Sequence, residues 1–144
     1  MKNGYFGIGC INMKTDLNYG TLFRTAQVFN ADFLFLIGRR FKTMASDTGK
    51  SFRHIPVFEY QTFEDFRSHL PYNCQLVAIE MDDKARLLKD FTHPERACYL
   101  LGAEDYGISK EVLGQCHQII KLPGERSLNV SVAGSIVLYD RITR

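Results

Sequence analysis

The sequence predicts a single α/β domain over residues 1–144, with a mostly parallel sheet and helices on both of its faces. Its 144 residues are 45% apolar and 24% charged, which suits one globular domain with its own core. Short, continuous apolar runs alternate with amphipathic or capped segments, a pattern typical of parallel strands that helices cover on both sides. No repeat, low-complexity tract or Pro/Gly-rich linker divides the chain.

Six strands are predicted where β-prone apolar residues follow one another without a polar break. The first begins near the N-terminus and contains glycines but no cleavage site of small residues, so a secretory signal is not expected. The longest apolar runs are far shorter than the roughly 20 residues of a membrane helix, which favours a cytoplasmic protein without a membrane partner. In chain order the strands are Tyr5–Ile11, Phe33–Ile37, Pro56–Tyr60, Gln75–Met81, Cys98–Leu101 and Gln118–Leu122.

Four helices are predicted between and after these strands. Asn18 is a favourable N-cap for the first helix, whose residues Leu22, Ala26 and Phe29 recur at helical spacing and form a buried stripe. The last helix is apolar around much of its circumference and contains small residues at 131 and 133–135, which indicates close packing against another element. The four helices are Tyr19–Phe29, Phe63–His69, Lys110–Gln115 and Val130–Arg141.

The net charge of +2 hides a basic first part, because residues 1–60 carry eight basic and four acidic side chains. Much of this excess lies in one polar segment that is either a solvated loop or a surface for nucleic-acid phosphates. Its basic residues are Arg39, Arg40, Lys42, Lys50 and Arg53.

The four cysteines and four histidines form no CxxC, HxxxH or HExxH pattern. No metal site is therefore predicted, and scattered thiols are typical of a protein in a reducing compartment.

Ligands of parallel α/β sheets bind beyond the carboxyl ends of the strands, so the loops there are the candidate sites. Two glycine patterns fail as phosphate-binding loops: Met44 stands where the first glycine before Gly49-Lys50-Ser51 belongs, and Ile108 replaces the lysine after Gly107. No GxGxxG follows a strand. Nucleoside triphosphate and nicotinamide sites are therefore not predicted.

Three other segments carry residues that could bind a ligand. The acidic glycine turn 102–109 could hold a ligand with hydroxyls and positive charge, such as S-adenosylmethionine, although a plain strand–turn–helix connection explains it equally well. Arg24 could reach back over Gly20 to a phosphate at the helix start, or it could be an ordinary exposed arginine. The polar run 126–131, at the start of the last helix, is not explained by core packing.

These segments, in this order, resemble the SpoU (TrmH-like) branch of the SPOUT RNA methyltransferases. The resemblance spans roughly residues 3–142, is poorest at 39–55, and is specific because three motifs occur in order across a chain of catalytic-domain length. The motifs are Asn18-x-Gly20-x-x-x-Arg24-Thr25-Ala26, Leu101-Gly102-Ala103-Glu104-x-x-Gly107-Ile108-Ser109 and Ser127-Leu128-Asn129-Val130-Ser131-Val132-Ala133.

The resemblance implies a deep C-terminal trefoil knot, a homodimer and S-adenosylmethionine-dependent methylation of a ribose 2′-hydroxyl in tRNA or rRNA, with S-adenosylhomocysteine as product. Ordinary rules of chain connection would give an unknotted sheet, so the knot comes from the resemblance alone. Arg24 matches the family's catalytic arginine, which commonly acts across the dimer interface. Asn18, Glu104, Ser127 and Asn129 match its polar site residues. Cofactor contacts are expected from Ile79, Glu80, Leu101, Gly102, Gly107, Leu122, Leu128 and Ala133.

Methyl transfer from a sulfonium is a one-step displacement, so it requires alignment of the hydroxyl but no covalent nucleophile or metal. Because a guanidinium keeps its proton, Arg24 is expected to bind a neighbouring phosphate and orient the hydroxyl, and whether it also accepts a proton stays open. Ser127 and Asn129 would hold the ribose. The alternatives are a non-catalytic RNA-binding relative, which the intact set of polar residues disfavours, a small-molecule methyltransferase, and an unrelated nucleotide-binding domain.

Overall fold

The structure, a computed structural model, describes residues 4–40 and 55–144. The strands in these residues pair in one sheet, and every pair of neighbouring strands is parallel. The strand order across the sheet is β3-β2-β1-β6-β4-β7-β5. This confirms the predicted fold class. The strands are β1 Tyr5–Ile11, β2 Phe33–Ile37, β3 Val57–Tyr60, β4 Gln75–Ile79, β5 Arg86–Leu87, β6 Arg96–Leu101 and β7 Gln118–Lys121.

The six predicted strands are all present, and β1 and β2 have the predicted bounds. Pro56 lies outside β3, although its carbonyl accepts a hydrogen bond from the amide of Leu34. β4 and β7 end earlier than predicted, and β6 begins two residues earlier. Strand β5 is missing from the prediction because two residues are too few to form a recognisable hydrophobic period.

The described helices are α1 Asp16–Val28, α2 Phe63–Ser68, α3 Lys110–Leu113 and α4 Val130–Thr143, with a short 3₁₀ helix at Leu88–Asp90. The prediction that α1 begins at Tyr19 with Asn18 as its N-cap is wrong. The helix begins at Asp16, the N-cap position is Thr15, and Asn18 lies in the first turn. The reason is a long-range contact: the carboxylate of Glu104 accepts hydrogen bonds from the backbone amides of Lys14 and Thr15 and fixes the chain just before the helix.

The core has two layers, one on each face of the sheet. Helices α1 and α4 cover one face, where they pack on residues of β1 such as Phe6 and Ile8. Helices α2 and α3 cover the other face through residues such as Phe66 and Val112. This arrangement follows from the alternation of side chains along each strand, and it leaves the carboxyl ends of the strands uncovered for the connecting loops.

Helix α4 is held closely along its length. A Cβ atom on Gly134 would lie 2.6 Å from Leu22 Cδ1, so the glycine allows the predicted close packing against α1. Near the helix end the buried Arg141 donates to the carbonyls of Pro94 and Glu95 and to the hydroxyl of Tyr99. The first residues of α4, and the loop before it, are thereby placed beside the ends of the central strands. The trefoil knot itself stays an implication of the family.

Within the described part of the chain, no helix has the length and apolar character that a membrane span requires.

Candidate functional site

A cleft with a volume of about 290 Å³ lies at the carboxyl ends of β4, β6 and β7. It is bordered by the loop that follows β6, residues 102–109, and by the loop that precedes α4, residues 122–129. Ser127 and Glu104, which were predicted as polar site residues, also line it. The structure brings to this cleft all eight residues that the sequence assigned to cofactor contact: Ile79, Glu80, Leu101, Gly102, Gly107, Leu122, Leu128 and Ala133.

The wall of the cleft combines apolar side chains with a few charged groups. Ile79 ends β4, Leu101 ends β6 and Leu122 directly follows β7. All three are buried and give an apolar surface. The carboxylate of Glu80 also lines the cleft. Its pKa is raised, because burial outweighs the 3.3 Å hydrogen bond from the amide of Ile108, which lowers the pKa. Such a site can hold a ligand that has an apolar body and a few hydroxyl or cationic groups.

Two basic residues of the cleft, Lys121 and Arg126, are not among the predicted site residues. Arg126 directly precedes Ser127 in the third motif, and this position next to a motif is the signal that could have found it. Lys121 is the last residue of β7, and the rule that ligands bind at carboxyl ends of parallel strands would include it.

The 102–107 loop closes on itself through two backbone hydrogen bonds. The Ala103 amide donates to the Gly107 carbonyl at 3.2 Å, and the Gly107 amide donates to the Ala103 carbonyl at 2.9 Å. Gly107 has a φ of +66°, a conformation that favours glycine. A Cβ atom on Gly102 would overlap the backbone of Gly107. Both glycines of the motif are therefore required for the shape of this loop.

Three polar residues of the three motifs meet in one hydrogen-bonded junction. The Asn18 Nδ2 donates to Glu104 Oε2 at 3.0 Å, and the Asn129 Nδ2 donates to Asn18 Oδ1 at 3.0 Å. Asn129 Oδ1 in turn accepts the backbone amides of Ser131 and Val132 and so caps α4. Asn18, Glu104 and Asn129, hereafter the motif junction, therefore fix the two loops of the cleft relative to α1.

The carboxylate of Glu104 is fully engaged by donors of its own chain. Oε1 accepts from the amide of Lys14, and Oε2 accepts from the amide and hydroxyl of Thr15 and from Asn18. Burial alone raises the pKa of Glu104, but these hydrogen bonds outweigh it and lower the pKa below its usual value. The role that geometry gives Glu104 is to anchor the loop, whereas the sequence suggested direct contact with a ligand.

Arg24 lies outside this cleft, on the exposed side of α1. Of the two interpretations of Arg24, the structure contradicts the one that places its guanidinium at the helix start, because α1 begins at Asp16, about 12 Å away along the helix axis. The amides of Lys14 and Thr15, just before the helix, are moreover bonded to Glu104.

Arg24 belongs to an exposed stripe that also includes apolar residues. Leu17, Thr21 and Val28 share its side of α1 at helical spacing, and Leu17 and Val28 are more than 60% exposed. Helix α4 packs beside α1 and exposes Val132, Ile136 and Tyr139, while the Ser135 hydroxyl donates to Thr25 between the two helices. We call these exposed residues of both helices the α1/α4 face.

Of the five basic residues predicted to bind RNA, the structure describes Arg39 and Arg40. Arg39 forms an ion pair of 3.1 Å with Glu59. Arg40 pairs with Asp105 through two hydrogen bonds of 2.8 and 3.2 Å and donates from Nε to the carbonyl of Asn12. The Arg40 guanidinium holds the pKa of Asp105 below its usual value. Lys42, Lys50 and Arg53 lie outside the described residues.

Within residues 4–40 and 55–144, no three His, Cys, Asp or Glu side chains are grouped so that they could hold a metal ion. The four cysteines are free thiols, and Cys10, Cys74 and Cys98 are buried.

Comparison with known proteins places the chain in a family. A family model described as the SpoU rRNA Methylase family matches residues 6–139. The tRNA (guanosine(18)-2′-O)-methyltransferase of Escherichia coli (strain K12) is 31% identical over 129 residues, covering 85% of this chain and 56% of that protein. An uncharacterized tRNA/rRNA methyltransferase of Archaeoglobus fulgidus is 29% identical, covering 96% of this chain and 65% of that protein. The chain thus spans less than two thirds of the length of either relative.

Solved structures share the fold over almost the whole chain. A structure from work on 2-OH methylation of C/U34 on tRNA superposes with a TM-score of 0.87 at 23% identity, covering 98% of this chain and 96% of that one. The AdoMet-bound rRNA methyltransferase of Sinorhizobium meliloti superposes with a TM-score of 0.85 at 21% identity, covering 97% of this chain and 56% of that one. With the family model matching most of its length, and with residues of its three motifs joined by hydrogen bonds beside one cleft, the chain belongs to the SpoU rRNA Methylase family.

Proposed function

We propose that this chain is a single catalytic domain that transfers a methyl group from S-adenosylmethionine to a ribose 2′-hydroxyl of tRNA or rRNA in the cytoplasm. Membership of the SpoU family gives the reaction class, and the relatives named above are tRNA and rRNA methyltransferases. The observation that carries the proposal is the motif junction, which joins three distant segments beside a cleft of about 290 Å³.

The residues of the cleft fit S-adenosylmethionine. Its apolar strand ends can take the adenine and the methionine chain, and the Glu80 carboxylate can accept hydrogen bonds from ribose hydroxyls or face a positive charge. We assign the backbone of Leu101, Gly102, Leu122 and Leu128 to hold the cofactor. When bound, the cofactor supplies an electrophilic methyl group.

The protein's own part in the reaction is to position the 2′-oxygen and its neighbouring phosphate. The guanidinium of Arg24 binds that phosphate and orients the hydroxyl. Ser127, which lines the cleft, hydrogen-bonds the ribose. The 2′-oxygen forms its bond to the methyl carbon as the carbon–sulfur bond breaks, and the hydroxyl proton passes to the phosphate and then to water. Alignment of the reacting atoms supplies much of the rate enhancement.

This assignment requires a homodimer, because Arg24 does not line the cleft of its own chain. The α1/α4 face carries Arg24 amid exposed apolar side chains, and pairing of two such faces would bury Leu17, Val28 and Ile136. We propose that this pairing brings Arg24 of one protomer to the cleft of its partner.

The proposed reaction is tested with tritiated S-adenosylmethionine and with tRNA and rRNA from cells that lack this protein. We expect label in one of the two pools, in a nucleotide whose 3′ linkage resists alkaline hydrolysis because its 2′-oxygen is methylated. Absence of label in both pools, for protein that binds S-adenosylhomocysteine in calorimetry, would contradict the proposal and favour a non-catalytic RNA-binding role.

Replacement of Arg24 by alanine separates binding from transfer. We expect Arg24→Ala to lower kcat about 100-fold or more, since the hydroxyl is no longer oriented, with unchanged affinity for S-adenosylhomocysteine. Arg67→Ala, which removes an exposed arginine of α2, is the matched control and should leave both unchanged. Loss of cofactor affinity together with activity in Arg24→Ala would mean that the role assigned to this arginine is wrong.

A further inference from the structure

The rim of the cleft exposes large apolar side chains, and the most exposed of them is an aromatic ring. Met81, Leu128 and Tyr106 are 37%, 46% and 81% exposed, and all three line the cleft. A tyrosine exposed to this degree adds little to the core, so folding gives no reason for an aromatic residue at position 106.

The loop holds Tyr106 in a defined place although its ring faces solvent. On one side Glu104 is bonded to Lys14, Thr15 and Asn18, and on the other Gly107 is bonded back to Ala103. Asp105 is fixed by its two hydrogen bonds to Arg40. Because its neighbours are anchored, the backbone of residue 106 has little conformational freedom left to lose on binding, and such preorganisation favours affinity.

The electrostatics around Tyr106 favour a flat, uncharged partner over a phosphate. The guanidinium of Arg40 lies 5.6 Å from the ring centroid, but its charge is offset by Asp105. Glu104 adds a second carboxylate to the same loop. Arg40, Asp105 and Glu104 together carry one net negative charge, so they do not attract a phosphate, whereas the face of a nucleobase would gain stacking on the ring. Unpaired RNA bases are characteristically bound by stacking on exposed aromatic side chains.

We propose that Tyr106 is the stacking platform for the nucleobase of the nucleotide that is methylated. The inference rests on the proposed function, which supplies the RNA substrate and places the target ribose in the cleft that Tyr106 borders. Stacking at this position would require the target nucleotide to be turned out of its helix or to lie in a single-stranded loop, so Tyr106 would select RNA by local structure.

A fluorescence measurement tests the contact directly. The chain has no tryptophan, so Tyr106→Trp introduces a single indole reporter, and Tyr72→Trp introduces one at a site that is 87% exposed and does not line the cleft. With unmethylated tRNA and rRNA from cells that lack this protein, we expect quenching of the indole emission in Tyr106→Trp and no change in Tyr72→Trp. Unchanged emission from Tyr106→Trp, with RNA shown by filter binding to be bound, would overturn the proposal.

Steady-state kinetics give the second test. Loss of stacking in Tyr106→Ala should raise the KM for RNA about 10- to 100-fold, while Tyr106→Phe keeps the ring and should stay within about 2-fold of the wild type. Affinity for S-adenosylhomocysteine, measured by calorimetry, should not change, and Tyr72→Ala should behave as the wild type throughout.

The outcomes separate this inference from the proposed function. A wild-type KM for RNA in Tyr106→Ala, with the parent protein active, would overturn the stacking role and leave the methyltransferase proposal standing. Weaker cofactor binding without a change in the KM for RNA would place the ring against the cofactor and would equally overturn it. An inactive parent protein would instead contradict the proposed function, and the fluorescence arm would then decide whether Tyr106 contacts RNA.

Discussion

Asn18 is the residue on which the arrangement of the site depends most. Its partners Glu104 and Asn129 are 86 and 111 residues away along the chain, and its side chain is largely buried between them. Its carboxamide donates to an anion and accepts from an amide at the same time. An apolar residue would remove one of the donors to Glu104 Oε2 and the acceptor of Asn129 Nδ2, which are the bonds that join the two loops to α1, and a carboxylate would repel Glu104.

At the same scale, the hydrogen bonds to Glu104 predict a pH-dependent contribution to stability. Because its folded pKa lies below its ordinary value, the carboxylate stabilises the fold above about pH 4.5, and this contribution is lost as the pH falls through the folded pKa. Urea unfolding should therefore show Glu104→Gln to be less stable than the wild type at pH 7, with a difference that shrinks as the pH falls below about 4.5. A difference that is independent of pH would mean that the charge of Glu104 contributes nothing.

Among the elements, β1 shows why an apolar strand contains glycines. Gly7 and Gly9 lie opposite Phe33 and Phe35 of the neighbouring strand β2, and a Cβ atom on either glycine would overlap the ring of its partner. The glycines give space to aromatic rings that build the layer beneath α2 and α3. Sequence alone identifies the strand, but the partner that requires the glycines becomes evident only from the register of the sheet.

The crowding around β1 predicts a loss of stability for Gly9→Ala. The added methyl group would overlap both the carbonyl oxygen and the ring of Phe35, so we expect the free energy of unfolding to fall by about 1–3 kcal/mol in urea denaturation. Gly114→Ala is the matched control, because Gly114 has a helical backbone conformation that alanine also adopts. The added Cβ atom would lie 3.5 Å from its nearest neighbour, the Lys110 carbonyl oxygen, which is an ordinary contact distance. A control that is as destabilised as Gly9→Ala would contradict this explanation.

At the scale of the whole molecule, the α1/α4 face links assembly to activity. Ile136 lies on this face, so a buried charge in Ile136→Asp should separate the proposed dimer into folded monomers that no longer transfer methyl groups. Analytical ultracentrifugation measures the assembly, circular dichroism measures the folding, and transfer is measured with the tritiated methyl donor. Tyr72→Asp, an equally drastic change at an exposed tyrosine outside this face, should stay dimeric. A dimer that survives Ile136→Asp unchanged would place the interface elsewhere.

A mixed dimer tests whether the two protomers share a site. Gly102→Val should close the cleft and Arg24→Ala should remove the orienting cation, so each variant alone is inactive. When the two are co-expressed, a dimer with one of each keeps one complete site if Arg24 acts in its partner's cleft. Random pairing then restores about one quarter of the wild-type activity. No recovery in isolated mixed dimers would contradict action across the interface.

The sequence alone predicts the fold class, six of the strands and the three motifs. These features depend on the local hydrophobic pattern and on residue types at short spacing. The bounds of β1 and β2 follow directly from their apolar runs. Three features became evident only from the folded chain: where α1 begins, that Glu104 binds its own chain, and that Arg24 does not line the cleft of that chain. The first two depend on contacts between residues far apart in the chain, and no local pattern around Thr15 or Asn18 specifies that a carboxylate from residue 104 will meet them. The third follows from the face of α1 that the sheet and α4 bury, which is fixed when the elements pack together.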